Sequence, residues 1–313
     1  AACSQKSSCS DYQMSDFKCG YVSIIGQPNV GKSTLLNKIL DKKISITSRK
    51  SQTTRNNIIG VKTLKNAQLI FLDTPGIHSQ SKKTLNKYLN KSAKSVFEDS
   101  DILLFLIQRN KLTAQDKSII NEFKNSNVKT ICAINKIDQI ADKNSLLPLI
   151  NELAMEHSFT DIVPISALKG NGVDNLVKVL ESHLPFNPYF YPSDHNFNQH
   201  SNFFISELIR EKITRIMGDE IPYEVYVEVE KNEVIDNRLE IDIVIYVAKS
   251  SQKSIVIGKD GEQLKKIGTA TRRELQKIFN KKVMLRSWVK VKKNWNTNIE
   301  RIQSLGIGNS IDV

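Results

Sequence analysis

The segment GQPNVGKS, Gly26 to Ser33, sets two glycines, a lysine and a hydroxyl at the spacing G-x-x-x-x-G-K-[ST]. Glycines at both ends allow a turn tight enough for successive backbone N–H groups to converge. A helix starting just behind them adds its N-terminus, and the two together cradle phosphate oxygens. Gln27, Pro28, Asn29, Val30 and Thr34 complete the stretch that would surround the phosphates, Gly31 gives the second turn, Lys32 brings charge to the outer phosphates, and Ser33 is a candidate magnesium ligand. Further on, FLDTPGI (71–77) ends an apolar run in an acid. Asp73 is placed to hold a magnesium shell through water, and the Gly76 N–H to sense a terminal phosphate, with Thr74, Pro75 and Ile77 around them. Between the two lies SRKSQTTRNN, where a threonine can complete the magnesium shell only with a triphosphate bound. Thr54, directly before Arg55, is the first choice and Thr53 the alternative. The catalytic candidates are therefore Lys32, Thr54, Asp73 and Gly76, and the metal candidates Ser33, Thr54 and Asp73. Many proteins of this kind carry Gln after the Gly to orient the attacking water. Ile77 has no hydrogen-bonding group, so slow unassisted hydrolysis is expected.

NKID (135–138) decides the base. A carboxylate at Asp138 can accept from both the ring N–H and the exocyclic amine of guanine, a pair adenine lacks. Discrimination built on such a pairing reaches ~10⁴ or more. Asn135 would brace neighbouring loops, the Lys136 stem would cover the base, and the backbone of Ser166, Ala167 and Leu168 suits a contact to the guanine oxygen. These residues argue against a metabolic P-loop kinase, as does the lack of any separate base for an acceptor. The cofactors expected are GTP/GDP and Mg²⁺.

The elements that must hold these residues are legible in hydrophobic pattern. YVSIIG, AQLIFLD, DILLFLI, KTICAIN and the shorter IVPIS are near-continuous apolar runs, as strands buried on both faces of a mainly parallel sheet are. Stretches of helical length separate them, near 32–41, 84–98, 115–125 and 145–157. The pattern predicts a doubly wound α/β domain over 17–184. A Pro- and aromatic-rich linker follows at 185–200. The pattern then becomes a helix at 203–217, two alternating strands, a short apolar turn, a helix at 262–279 and a strand at 283–292, a smaller α+β domain over 201–306. Residues 1–16 and 307–313 read as tails, the first disordered.

With 40% hydrophobic and 25% charged residues, both parts can bury cores, while a net charge of +12 calls for an anionic partner, either nucleic acid or an acidic membrane surface. The four cysteines have no metal-ligand spacing and read as free thiols. No apolar run reaches the ~18 residues a membrane span needs.

Taken in order, the motifs resemble the translation-factor-like class of small GTPases. GQPNVGKSTLLNKIL, ISITSRKSQTTR and DTPGIH resemble the Era family in particular, and IREKI…EIPYEVYVEVE, IVIGKDGEQLKKIG and LRSWVKVKKNW resemble its RNA-binding KH domain. The resemblance implies a P-loop GTPase domain followed by a KH domain. It further implies binding to the 3′ end of small-subunit (16S) ribosomal RNA and a part in maturing the 30S subunit. It implies a cytoplasmic protein, expected to be a monomer, with peripheral contact at the inner face of the cell membrane. Related GTPases with a hydrophobic residue after DTPG hold potassium near the position of Asn29, which makes K⁺ a further candidate cofactor. The alternative reading is a membrane-surface regulatory GTPase whose basic second domain meets anionic lipid.

In the KH-like segment, GKDG (258–261) would let backbone approach phosphates through Gly258 and Gly261 while Lys259 supplies charge. Asp260 is less at ease beside phosphate. Lys265 and Lys266 follow on the helix. In KKVMLRSWVKVKKNW, Val283, Leu285, Val289 and Val291 alternate with Arg286, Trp288, Lys290 and Lys292. One face reads as core and the other as a basic surface, with Arg286 and Lys290 as RNA candidates. Trp288 is expected in the core rather than as a stacking residue.

Overall fold

The structure, a computed structural model, describes residues 17–42, 57–73, 100–108, 111–191, 202–217, 225–293 and 310–312. The apolar runs form a seven-stranded sheet from β1 (Lys18–Ile25), β2 (Asn57–Thr63), β3 (Ala67–Asp73), β4 (Ile102–Gln108), β5 (Lys129–Asn135), β6 (Asp161–Pro164) and β10 (Ser310–Asp312), in the order β10-β2-β3-β1-β4-β5-β6. β1, β3, β4, β5 and β6 run parallel, β2 is antiparallel to β3, and β10 lies parallel to the start of β2. Two helices, α1 (Lys32–Ile39) and α4 (Val173–His183), bury Leu35, Leu36, Leu176 and Leu180 against Val22, Ile24, Leu104 and Leu106. On the other face α2 (Ala114–Phe123) and α3 (Leu146–Glu156) bury Ile120, Phe123, Leu149 and Leu153 against Ile25, Leu103 and Phe105. Neighbouring residues of β1 and β4 thus point into opposite cores, which is why these strands read as continuous apolar runs. Cys19 and Cys132 are free and buried, and burial pushes both thiols up. The helix expected at 84–98 lies outside the described residues.

The strand order reverses at β1, so the crevice beyond its C-terminal end is where a ligand fits an open α/β sheet. The first part of the expected linker is docked at the opposite end. Pro185 accepts from Cys19 N, and Asn187 N donates to Phe17 O. The buried amide of Gln68 accepts from Phe190 N (3.1 Å) and Tyr191 N (3.0 Å) and donates to Tyr191 O (2.9 Å).

The smaller unit comprises α5 (Asn202–Ile216), β7 (Val225–Ile235), β8 (Arg238–Val247), α6 (Ser250–Ile257), α7 (Glu262–Phe279) and β9 (Lys282–Val291). β7 and β8 form an antiparallel hairpin whose turn, Asp236 and Asn237, takes positive φ at both residues (46° and 58°), the twist such two-residue turns need. β9 joins β8 in parallel. Ile205, Leu208 and Ile209 of α5, Ile241, Ile243 and Ile245 of β8, and Ile267 and Leu275 of α7 make its core. The expected apolar turn before GKDG is the helix α6.

Candidate functional site

The phosphate loop leaves the end of β1 and closes at Gly31, the N-cap of α1. Gly31 has φ 109°, and a Cβ there would lie 2.3 Å from Asn135 Nδ2, so no other residue fits. Lys32 Nζ donates back to the carbonyls of Gly26 (3.1 Å) and Gln27 (3.0 Å), holding a nearly buried ammonium across the loop. The first turn of α1 carries no acid, leaving the positive end of the helix dipole unopposed. Ser33 follows, partly buried.

The guanine-reading residues are tied to this loop. Asn135 is buried, donates from Nδ2 to Val30 O (2.8 Å) and accepts from Ala167 N (2.9 Å). Lys136, at φ 66°, donates to Asn29 O (2.9 Å) and to Gln108 Oε1. Ser166 Oγ donates to Asp138 Oδ1 at 2.5 Å and accepts from Lys169 N at 3.1 Å. Asp138 is exposed at the rim with Leu168 beside the Ser166–Ala167 turn, a carboxylate set for a base edge. Gln27 instead points sideways. Its Nε2 donates to Thr113 Oγ1 (2.6 Å), the cap of α2, which also donates to Asp116 Oδ2 (2.7 Å). Gln108 and Thr113 thus pin both ends of the β4–α2 connection to the nucleotide loops. Neither stands out in sequence, since Thr113 lies 86 residues from its partner.

Asp73 ends β3 in register with Ile24 of β1 and Ile58 of β2. Thr54, Thr74, Pro75, Gly76 and Ile77 lie outside the described residues. A hydroxyl at Ser33 and a carboxylate at Asp73 are hard oxygen donors, few in number. That suits Mg²⁺, which keeps water and phosphate ligands of its own. Among the described residues no cluster of three or more His, Cys, Asp or Glu could hold a metal without such ligands.

In the smaller unit α6 stops at Gly258, whose backbone (φ 75°, ψ 176°) only glycine adopts readily. One 3₁₀ turn through Lys259 and Asp260 leads to Gly261, the left-handed N-cap of α7. From there a groove of about 350 Å³ runs between α7 and β9, lined by Gly261, Leu264, Lys265, Gly268, Thr269 and Arg272 on one side and Leu285 and Ser287 on the other. Lys259 is exposed on the turn that leads to Gly261.

The nominated cations divide. Lys265 lines the groove, whereas Lys266 is exposed and paired with Glu262 at 2.7 Å. Since Leu285 and Ser287 face the groove, Arg286 and Lys290 face away, on the sheet surface opposite the helices. There Arg286 makes two hydrogen bonds to Asp242 (2.6 and 3.1 Å), which raise its pKa, and Lys290 meets Glu230 (3.3 Å). The structure therefore does not bring these two to the groove. Trp288 shares their face and is 45% exposed, not core as expected. Gly268, Thr269, Arg272 and Ser287 were missed. The available signal was the i, i+4 spacing of Leu264, Gly268 and Arg272 and of Lys265 and Thr269 along α7, and for Ser287 its alternation with Leu285 in β9.

The fold and these sites define a P-loop GTPase carrying a C-terminal KH domain. Residues 21–136 match the family described as "50S ribosome-binding GTPase", and residues 220–296 match the KH domain. The GTPase Era of Pseudomonas fluorescens is 44% identical over 291 residues, 93% of this chain and 97% of that protein. That of Azotobacter vinelandii is 43% identical over 293 residues, 94% and 98%. Two crystal structures share 40% identity and a TM-score of 0.87, each covering 93% of this chain and 99% of the other. One is an Era variant of Aquifex aeolicus bound to GDP·AlF4⁻, and the second is Era with MgGDPNP and nucleotides 1506–1542 of 16S ribosomal RNA. The chain belongs to the Era family of GTPases, as the resemblance in its motifs implied.

Proposed function

We propose that this GTPase is a switch that binds the 3′ end of small-subunit ribosomal RNA through its KH domain and assists maturation of the 30S subunit. The observation that carries the reading is the groove that begins at Gly261 and is lined by Lys265 and Arg272, with Lys259 exposed on the turn leading into it. An unstacked strand can lay bases there while the loop and the cations meet its phosphates. The bound RNA of the Era complex supports it. On this reading residues 17–184 hold GTP and 201–306 hold RNA. Asp138 and the Ser166–Leu168 turn select guanine, Lys136 covers the base, and Lys32 leaves its loop carbonyls for the outer phosphates. Magnesium, held through Ser33, Thr54 and Asp73, would neutralise charge on the phosphate oxygens. Nucleotide state then sets RNA affinity and RNA sets nucleotide affinity, because such coupling is reciprocal.

Without a glutamine at position 77, hydrolysis by the protein alone is slow. Compensation comes from a potassium ion beside Asn29 and from RNA that fixes the 48–57 loop and closes the site. The protein works as a monomer in the cytoplasm, with only peripheral contact to the inner membrane. No helix among the described residues is long and apolar enough to cross one. Single-turnover GTP hydrolysis in sodium and in potassium, with and without the 1506–1542 RNA, tests the reading. Slow turnover in sodium, faster in potassium and faster again with RNA is expected. Equal rates in all four conditions refute the coupling, and anionic-vesicle binding that survives deletion of 253–266 would favour the membrane-surface alternative.

A further inference from the structure

Gly268 lies inside α7, where glycine is the poorest helix former apart from proline. Its backbone does not require glycine, because it is not among the positive-φ residues. Packing does not require it either, since a Cβ added there would meet nothing within 4 Å. By contrast, a Cβ at Gly31 or Gly258 would collide with atoms at 2.3 and 2.7 Å. What distinguishes Gly268 is its place. It lines the groove one turn from Leu264 and one turn from Arg272, opposite Leu285 and Ser287, while the neighbouring stripe of Ile267, Thr271 and Leu275 faces the core. The floor of the groove at this point is bare helix backbone.

We propose that Gly268 is the seat of one unstacked nucleobase, a specificity-determining contact within the RNA site. The inference rests on the RNA-binding reading above. A flat aromatic ring gains dispersion contact only if it lies directly on the surface beneath it, and a methyl at 268 would lift it off. The aliphatic flanks of Leu264 and Leu285 suit the ring faces. Arg272 offers a donor fork, and the hydroxyls of Thr269 and Ser287 donate or accept at the ring edge. Lys259 and Lys265 would meet phosphates, so charge positions the strand and Gly268 admits the base.

The test uses the full chain and a fluorescein-labelled RNA of the 1506–1542 segment. Gly268→Ala should leave GTP affinity unchanged and keep or raise the unfolding midpoint, by about 2 °C, since alanine is the better helix former. RNA affinity should fall about tenfold or more, the scale of one lost base-stacking contact, with the slope of log affinity against log salt unchanged. Lys259→Ala should instead reduce that slope by about one. A series of RNAs with single abasic sites locates the seat: at one position, parent and Gly268→Ala should bind equally. Full RNA affinity in Gly268→Ala beside a weakened Lys259→Ala overturns the inference and leaves the RNA reading intact. A lowered unfolding midpoint overturns it too, because the glycine would then serve packing. If the parent itself does not bind the RNA, both fall together.

Discussion

Replacing Asn135 by Asp tests whether one buried amide unites the nucleotide site. The substitution is isosteric, so it changes hydrogen bonding and little else. Asn135 is 2% exposed, and so is Ala167, while Val30 is 1% exposed, so water cannot replace a lost partner. The aspartate keeps the acceptor for Ala167 N but sets an oxygen about where Nδ2 now stands, 2.8 Å from the Val30 carbonyl oxygen. A buried hydrogen bond becomes a repulsion. Leaving a buried group unsatisfied costs about 1–3 kcal/mol, and more when charge is involved. A cost of about 3 kcal/mol falling wholly on nucleotide affinity corresponds to roughly 100-fold, and any share falling on the fold would lower the unfolding midpoint instead. Asn135→Ala loses both bonds without the repulsion and should bind no worse than Asn135→Asp. The two differ in pH dependence. Burial beside a carbonyl raises a carboxyl pKa, and the protonated acid can donate to Val30 O as the amide does. GDP affinity of Asn135→Asp should therefore recover as pH falls from about 8 to about 6, while Asn135→Ala shows no recovery. Fluorescent-GDP titrations of parent and both variants decide it. Parental affinity in Asn135→Asp at the higher pH would refute the argument.

Asp138→Asn exchanges a carboxylate acceptor for an amide donor. GTP binding should weaken by at least about tenfold while xanthosine triphosphate binding appears, because xanthine presents a carbonyl where guanine has its amine. Equilibrium titration with both nucleotides checks this, and unchanged GTP affinity would remove Asp138 from the base site. Arg286→Ala should leave RNA affinity and its salt slope nearly unchanged, since its guanidinium serves Asp242 on the far face of the sheet. It should lower the KH unfolding midpoint by leaving that carboxylate without its partner. A loss of RNA affinity at parental stability would put Arg286 back in the binding surface.

Much of the larger domain was legible because strands buried on both faces write themselves as unbroken apolar runs. β2 was not. NIIGVKT is interrupted by Gly60, which makes it look like the end of a loop. The structure supplies the reason: Leu36 of α1 and Leu40, its C-cap, press onto that spot, and a Cβ on Gly60 would lie 2.5 Å from Leu40 Cδ1. Close helix–strand packing removed the side chain that would have marked the strand. The phosphate loop and guanine motif were legible because their chemistry is local, whereas the bonds that unite them span 86 to 107 residues. In β9 the alternation was read correctly, yet not which cations of its outer face are already paired. That depended on Asp242 and Glu230, 44 and 60 residues away, already claiming Arg286 and Lys290.

This division of partners also says where the surplus charge acts. On the outer face of the KH sheet four cations meet carboxylates: Arg286 with Asp242, Lys290 with Glu230, Arg238 with Glu240, and Lys231 with Glu233 and Glu240, while Lys292 lies over the Tyr246 ring. These pairs cancel much of the charge that the four cations would offer a polyanion, and exposed pairs of this kind add at most about 1 kcal/mol to stability. Lys259, Lys265 and Arg272 form no ion pair among the described residues. Their charge is therefore unpaired beside Gly261 and Gly268, where an added Cβ would meet nothing within 4 Å. A net charge of +12 says only that an anion is wanted, while this unequal pairing is what favours the groove over the broader basic strand in the proposed reading.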